Sequence, residues 1–591
     1  MWGFAITTNA ARSTDAKLWA ALGTSCIEGI FIFCKFTMMV AMDYSSSFSI
    51  QTRMAKLLLG LLALPATLAG AVAQAQTALP AAPTTAQTTV AEASAGPVFQ
   101  IRGFNVSGDN PLSGDETSRV LAPFLRSDAT LDTLQKATQA LETAMKAKGF
   151  ALHKVALPPQ EIGATVNLNV VKFVIGKVVV EGAQNFSEAN IRNSLPELKE
   201  GTAPNFRTLA VQTAIANENP SRQMQVGLKE AEEVDQIDAK VVVKDAKPWN
   251  FSVSAANTGS NATGNDRLTL AGSHTNLWDR DHSFTGAYTT SLERPADVKQ
   301  LGLNYRVPFY AQGGVLGLSY TRSDVVGNFG AFTSTGAGST FGLNYSHYLP
   351  PDGGYRSYFT VGVDDKLFNA SVVSGAVVGV DRRSRPLTLG YNARVESDSA
   401  VWGYNADLSL NLPGGNGNDL ASYTTEDPRI SGANFKILRA GANYLTGFGN
   451  GWLASVRGSL QYSPDALISG EQFGLGGSSS VRGTGERPIS ADSGLFISTE
   501  ISSKELMPGL RVLGFIDAGW LANNNPNGNP KPASDSLAGA GIGLRFNSPA
   551  GYSVTVDYGR IVSGSQLPFV PGSAIPQVGD QKFHINFTAR F

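Results

Sequence analysis

The sequence predicts a transmembrane β-barrel of sixteen antiparallel strands preceded by two small α+β domains. Three observations carry this reading. After Pro248 the chain breaks into segments of about ten residues that alternate apolar and polar side chains. The connections between them are long on one side and short on the other. The last segment ends on an aromatic residue, Phe591.

The composition fits the same class. Charged residues make up 16% of the 591, against roughly 25% in typical soluble domains. Gly is abundant at 63, and the hydrophobic fraction is 42%. Strands with one face to lipid and one to a polar lumen disperse apolar residues in this way. The net charge is -1, so no basic surplus points to nucleic acid.

At the N-terminus, Met54-Ala55-Lys56, the apolar run Leu57 to Leu64 and Ala71-Val72-Ala73 form a signal peptide over 54–75. Residues 1–53 are expected to be an over-extended start, and 76–97, rich in Ala, Thr, Gln and Pro, a flexible linker. The two Cys, Cys26 and Cys34, precede the expected mature chain, which leaves no disulfide or thiolate metal site in it. No later stretch offers 18 uninterrupted apolar residues. An exported chain without membrane helices spans a membrane only as a closed barrel.

Residues 98–172 read as β-α-α-β-β. Phe99 to Val106 alternates as a strand, and Ser113 to Leu125 and Leu131 to Lys148 read as helices. In the second helix Leu134, Ala137, Leu141 and Met145 share a face, and Gly149 stops it. Strands follow at 151–157 and 165–171. Residues 173–246 repeat the order, with strands at 174–182, 222–229 and 237–244 and helices at 188–195 and 206–219.

From 247 to 591 sixteen strands are expected: 249–257, 267–275, 282–291, 299–307, 314–322, 339–347, 355–364, 387–395, 401–411, 434–445, 452–462, 494–504, 511–519, 537–546, 551–559 and 582–591. Gaps after even-numbered strands are short, such as 276–281 and 547–550. Long gaps follow odd-numbered strands, including 323–338, 365–386, 412–433 and 463–493. Short periplasmic turns opposite long outer loops suit a barrel with a periplasmic N-terminus. In the final strand Phe583, Ile585, Phe587, Ala589 and Phe591 share one face. As a free edge this would invite aggregation, so pairing with the first strand is the expected arrangement.

The loop at 463–493 is the most informative. It contains Gly470-Glu471-Gln472-Phe473-Gly474-Leu475-Gly476-Gly477 and then Val481-Arg482-Gly483-Thr484-Gly485; Phe515-Ile516-Asp517-Ala518-Gly519 follows in a later strand. With these motifs the chain resembles the two-partner secretion transporters of the haemolysin-activator (TpsB) type, ShlB/FhaC/HecB, over about 98–591. Pro158-Pro159-Gln160 and Asn304-Tyr305-Arg306-Val307-Pro308 also match the habits of that family. The resemblance implies that 98–172 and 173–246 are POTRA domains. It also implies that loop 463–493 folds into the lumen, where Arg482, flanked by Val481 and Gly483, latches onto Asp517. The chain departs from the family at Thr484, where an aromatic is usual.

The implied function is an outer-membrane transporter that secretes a large partner protein, of adhesin or haemolysin type. That partner would be bound unfolded by periplasmic POTRA domains. The implied surroundings are outer-membrane lipid and the barrel-assembly machinery, which would read the closing strand with Phe591. An outer-membrane protein insertion factor is the alternative, disfavoured by only two POTRA repeats; a passive porin would not need residues 98–246. No plug helix is expected in 76–96. Gly414 to Asp419 matches one calcium-repeat unit and reads as a Gly-rich outer loop. His153, His274, His282, His347 and His584 are dispersed, and no catalytic motif occurs. No enzyme activity, cofactor or metal is expected.

Overall fold

The computed structural model describes residues 98–591 apart from 162, 330, 374–375, 527–530 and 569–572. The expected start, signal peptide and linker, with Cys26, Cys34 and the question of a plug helix, lie outside the described residues.

The first domain runs β1 (Gly103–Gly108), α1 (Gly114–Leu121), α2 (Leu131–Ala147), β2 (His153–Ala156) and β3 (Thr165–Lys172), with sheet order β1-β3-β2. Ser113 and Glu116 close a capping box that fixes where α1 starts. Leu134, Ala137, Leu141 and Met145 of α2 are buried against Val166, Leu168 and Val170 of β3. Leu141 is 0% exposed, so Leu141→Ala would cost about 2–5 kcal/mol. The first strand starts later than its alternation suggested. Phe99 and Ile101 donate instead to the carbonyls of Ala129 and Arg126, which ties the segment to the α2 entrance. Strand β2 is also shorter than expected, because Pro158 and Pro159 lack N–H groups. Gln160 takes over from it. Its amide donates to the Asn167 carbonyl and accepts the Asn167 N–H, both at 2.8 Å, as a strand backbone would.

The second domain repeats this order: β4 (Val174–Glu181), α3 (Glu188–Ser194), α4 (Phe206–Ala216), β5 (Arg222–Glu230) and β6 (Gln236–Asp245). Again the first and last strands are parallel and the middle one is antiparallel, in the order β4-β6-β5. Ile175, Ile191, Leu209, Met224 and Val241 form its core.

Sixteen antiparallel strands then close into a barrel, with Arg382–Ser384 extending the eighth. Alternation decides which side chains meet lipid. In the sixteenth strand (Gln581–Arg590), Phe583, Ile585 and Phe587 are 55%, 44% and 42% exposed, while His584 between them is buried on the lumen side. Phe591, just beyond the strand, is exposed too. The sixteenth strand pairs with the first (Trp249–Ala256), from Asn586↔Ala256 to Arg590↔Ser252, so the sheet has no free edge there. The long connections carry structure of their own. In 412–433 Asp419 caps a helix, Leu420–Glu426, by accepting the Ser422 N–H. The Gly-rich run before it is therefore a helix entrance.

Candidate functional site

Loop 463–493 is a hairpin that lies against inward-facing wall residues. Its arms, Phe473–Leu475 and Ile489–Ala491, pair with each other. Gly476 and Gly477 turn the chain away from the first arm at φ of 98° and 108°, values that side chains resist. At the tip Val481 is fully buried among Leu475, Ile489, Phe496, Leu521, Leu537 and Ile561. The Gly483 N–H donates to His584 Nε2 in the sixteenth strand at 3.2 Å. Close approach needs glycine on the wall as well: a Cβ on Gly559 would sit 2.6 Å from the Arg482 carbonyl carbon, and one on Gly539 2.5 Å from its oxygen.

Arg482 is buried and brought together with Asp517. Its Nε donates to Asp517 Oδ2 at 2.7 Å and its Nη2 to Oδ1 at 2.8 Å, a bidentate fork. The Arg482 backbone N–H adds a third bond, to Oδ2 at 3.1 Å. The remaining Nη1 meets Glu500 at 2.6 Å and Asp557 at 3.4 Å, and the guanidinium lies over the Phe515 ring. A charge this deep is stable only with such partners. Thr484 fills the place of the usual aromatic with local bonds. Its hydroxyl accepts the Gly477 N–H and donates to the Gly485 carbonyl, tightening the tip.

Sequence reasoning missed the loop's other attachments. Glu471, buried in a single turn at Ser469–Glu471, receives Lys366 Nζ at 3.0 Å, Ser384 Oγ at 2.8 Å and Arg439 Nη2 at 2.9 Å. Burial opposes its ionisation, yet Lys366 and Arg439 hold the carboxyl well below the usual carboxylate range. On the returning stem Asp492 meets Arg429 Nη1 at 3.1 Å and accepts the N–H groups of Leu467 and Asn524. The only sequence signal was that Glu471 and Asp492 flank the glycine-rich motif. A second connection also leans on the loop: Asn328 Nδ2 donates to Ser479 Oγ at 3.0 Å, and Phe332 packs on Ala271 and Ala287.

On the opposite side of the barrel, the second domain is joined to turn 276–281 through a buried ion pair. Arg222 of β5 and Asp281, whose side chains are 0% and 3% exposed, form a fork at 2.8 and 3.0 Å. The Tyr310 hydroxyl and Asn190 Nδ2 donate to the same carboxylate at 2.6 and 3.1 Å. Trp278, Asp279 and Asp281 all take left-handed φ, 56°, 55° and 59°, strain that the joint must hold in place. Just past α4, Glu218 reaches the lumen-facing Arg306 and Tyr348.

Comparison with known proteins agrees with this architecture. Residues 235–546 match the family described as haemolysin secretion/activation protein ShlB/FhaC/HecB, and residues 99–172 match the ShlB-type POTRA domain. The outer membrane transporter CdiB of Escherichia coli is 24% identical over 77% of this chain and 77% of its own length. The heme/hemopexin transporter protein HuxB of Haemophilus influenzae is 21% identical over 76% of this chain and 80% of its own. Solved structures of CdiB share the fold. That from Escherichia coli superposes with a TM-score of 0.66 at 20% identity, over 93% of this chain and 100% of that one. That from Acinetobacter baumannii gives 0.63 at 17% identity, over 92% and 100%. The family match spans more than half of the chain, which therefore belongs to the haemolysin secretion/activation family and is an outer-membrane transporter of two-partner secretion.

Proposed function

We propose that the chain passes one large partner protein, of adhesin or haemolysin type, from the periplasm to the cell surface, with Arg482 and Asp517 as the latch of its inserted loop. The partner arrives unfolded and docks on the POTRA pair, where strand addition to a sheet edge would supply backbone bonds without demanding one sequence. It then threads through the lumen as the latch lets go. No nucleotide is at hand outside the inner membrane, so folding of the partner at the surface supplies the drive. The chain works as a conduit and not as an enzyme. Lipid faces the row Phe583, Ile585 and Phe587, and barrel-assembly machinery reads the strand that carries them.

The observation that carries the latch is the fully buried fork between a loop tip and the barrel wall. A fork of this kind fixes one loop position and is lost as a unit when the loop moves. The test is to delete the gene and compare the culture medium with the periplasm. A large exported protein that disappears from the medium and accumulates or is degraded in the periplasm supports the reading. Unchanged secretion overturns it, and a general loss of outer-membrane proteins points to an insertion factor instead. For the latch, Arg482→Ala and Asp517→Ala barrels should assemble yet secrete poorly. Wild-type secretion by both would refute the role.

A further inference from the structure

The inserted loop is held at two places that differ in kind. At the tip one cation, Arg482, faces three carboxylates: Asp517, Glu500 and Asp557. Losing one carboxylate leaves the guanidinium with two others, and Asp557 is held by Arg545 as well, at 2.6 and 2.9 Å, so it keeps a cation when the tip moves. At the foot the ratio is reversed. One carboxylate, Glu471, serves two cations, Lys366 and Arg439, and its backbone carbonyl accepts from Gln461 Nε2 at 2.8 Å. Taking Glu471 away would leave two half-buried cations, Lys366 and Arg439, without their shared counter-charge.

Packing sharpens the contrast. Beside Glu471, Ala466, Leu467 and Ile468 sit in a closed apolar cluster with Phe368, Tyr423, Phe435 and Ile437. Between foot and tip lie Gly476 and Gly477, both left-handed, and on the returning side Arg487 is left-handed at 50°. The Arg487 guanidinium ties back to the foot, donating to the carbonyls of Ser469 and Gln472 at 2.7 Å. The left-handed positions thus separate the tip from the stem.

We propose that Glu471 is a positioning residue, the fixed anchor about which the inserted loop pivots when its tip releases. The idea rests on the latch reading of Arg482 and Asp517. It adds that the stem stays seated while residues 478–486 move.

The experiment uses the full chain in whole cells, with a single reporter cysteine and a membrane-impermeant maleimide. Ile468→Cys reports on the stem and Val481→Cys on the tip; both positions are buried, at 1% and 0% exposure. Asp517→Asn should speed labelling at position 481 and leave 468 protected. Glu471→Gln should speed labelling at both by about tenfold, the scale of losing charge-assisted hydrogen bonds to half-buried cations. Glu471→Asp should keep 468 protected. Heat-modifiable gel mobility confirms a folded barrel, and a Lys366→Gln/Glu471→Gln double variant, with one cation fewer to strand, covers the case where the single variant does not fold. The pivot is overturned if Asp517→Asn exposes 468 as readily as 481, or if 468 stays protected in the folded Glu471→Gln variants. Secretion is scored in parallel. Normal secretion by Asp517→Asn alongside the expected labelling would sink the latch and leave the pivot standing.

Discussion

Asp281→Asn should loosen the second domain from the barrel while leaving each part folded. Asparagine keeps the shape and tolerates the left-handed backbone found here, φ 59°, so what is lost is the charge and one of the two acceptor oxygens. Arg222, with its side chain 0% exposed, then keeps a full charge against a neutral amide. Removing one partner of a buried pair costs roughly 3–5 kcal/mol, and even the lower figure shifts a docking equilibrium by about a hundredfold. The Thr275 and Ser221 hydroxyls lie 3.0 Å apart across the joint, which suits a cysteine pair. The only natural cysteines are Cys26 and Cys34, so a Ser221→Cys/Thr275→Cys variant gives a clean signal. Its effective molarity, read from equilibrium with glutathione, should fall about a hundredfold on adding Asp281→Asn. Adding Arg222→Gln as well should recover most of the loss, because no bare charge remains. A change of less than about threefold for Asp281→Asn alone, or a double variant as damaged as the sum of its parts, would refute the reasoning.

Three further outcomes are expected. Gly559→Ala places a Cβ 2.6 Å from the Arg482 carbonyl carbon, so it should push the tip off the wall and lower secretion, with barrel mobility on gels unchanged. Gln160→Ala removes both bonds to the Asn167 backbone and should cost the first domain about 1–3 kcal/mol, read as faster exchange of the Asn167 amide. Asp245 is partly buried, which raises its pKa, but the N–H groups of Gln184, Asn185 and Phe186 outweigh this and hold it low. A lowered pKa stabilises the fold above the unfolded value of about 3.9, and that contribution fades as pH falls through the folded value. Protection of the 184–186 amides from exchange should therefore fall in acid in the wild type, and in Asp245→Asn it should already be lowered at neutral pH.

The strands of the barrel were legible because alternation is a local property: Phe583, Ile585 and Phe587 declare a lipid face without reference to any other strand. The tip Arg482 and its acceptor Asp517 were legible only through family resemblance, since 35 positions separate them. Glu471 was not. Its partners Lys366 and Arg439 lie on strands 105 and 32 positions away, and nothing in their own neighbourhoods marks them as facing the same point. The short β2 was hidden for a different reason. A side chain, Gln160, does the bonding of a strand there, and no pattern of hydropathy records it. Backbone strain at 276–281 was equally silent, because Trp278 and Asp279 do not advertise a left-handed conformation.

The burial of the Arg482 fork has a consequence for how the loop tip can be released. Mobile ions weaken attractions between charges that water reaches, over about 8 Å at physiological ionic strength, but they act far less on pairs sealed from solvent. Asp517 is 0% exposed and Arg482 2%. Swings in the salinity outside the cell should therefore leave the fork intact. Whatever releases the tip has to arrive as matter, as a segment able to compete for the wall surface beneath it, and not as a change in the ionic surroundings of the cell.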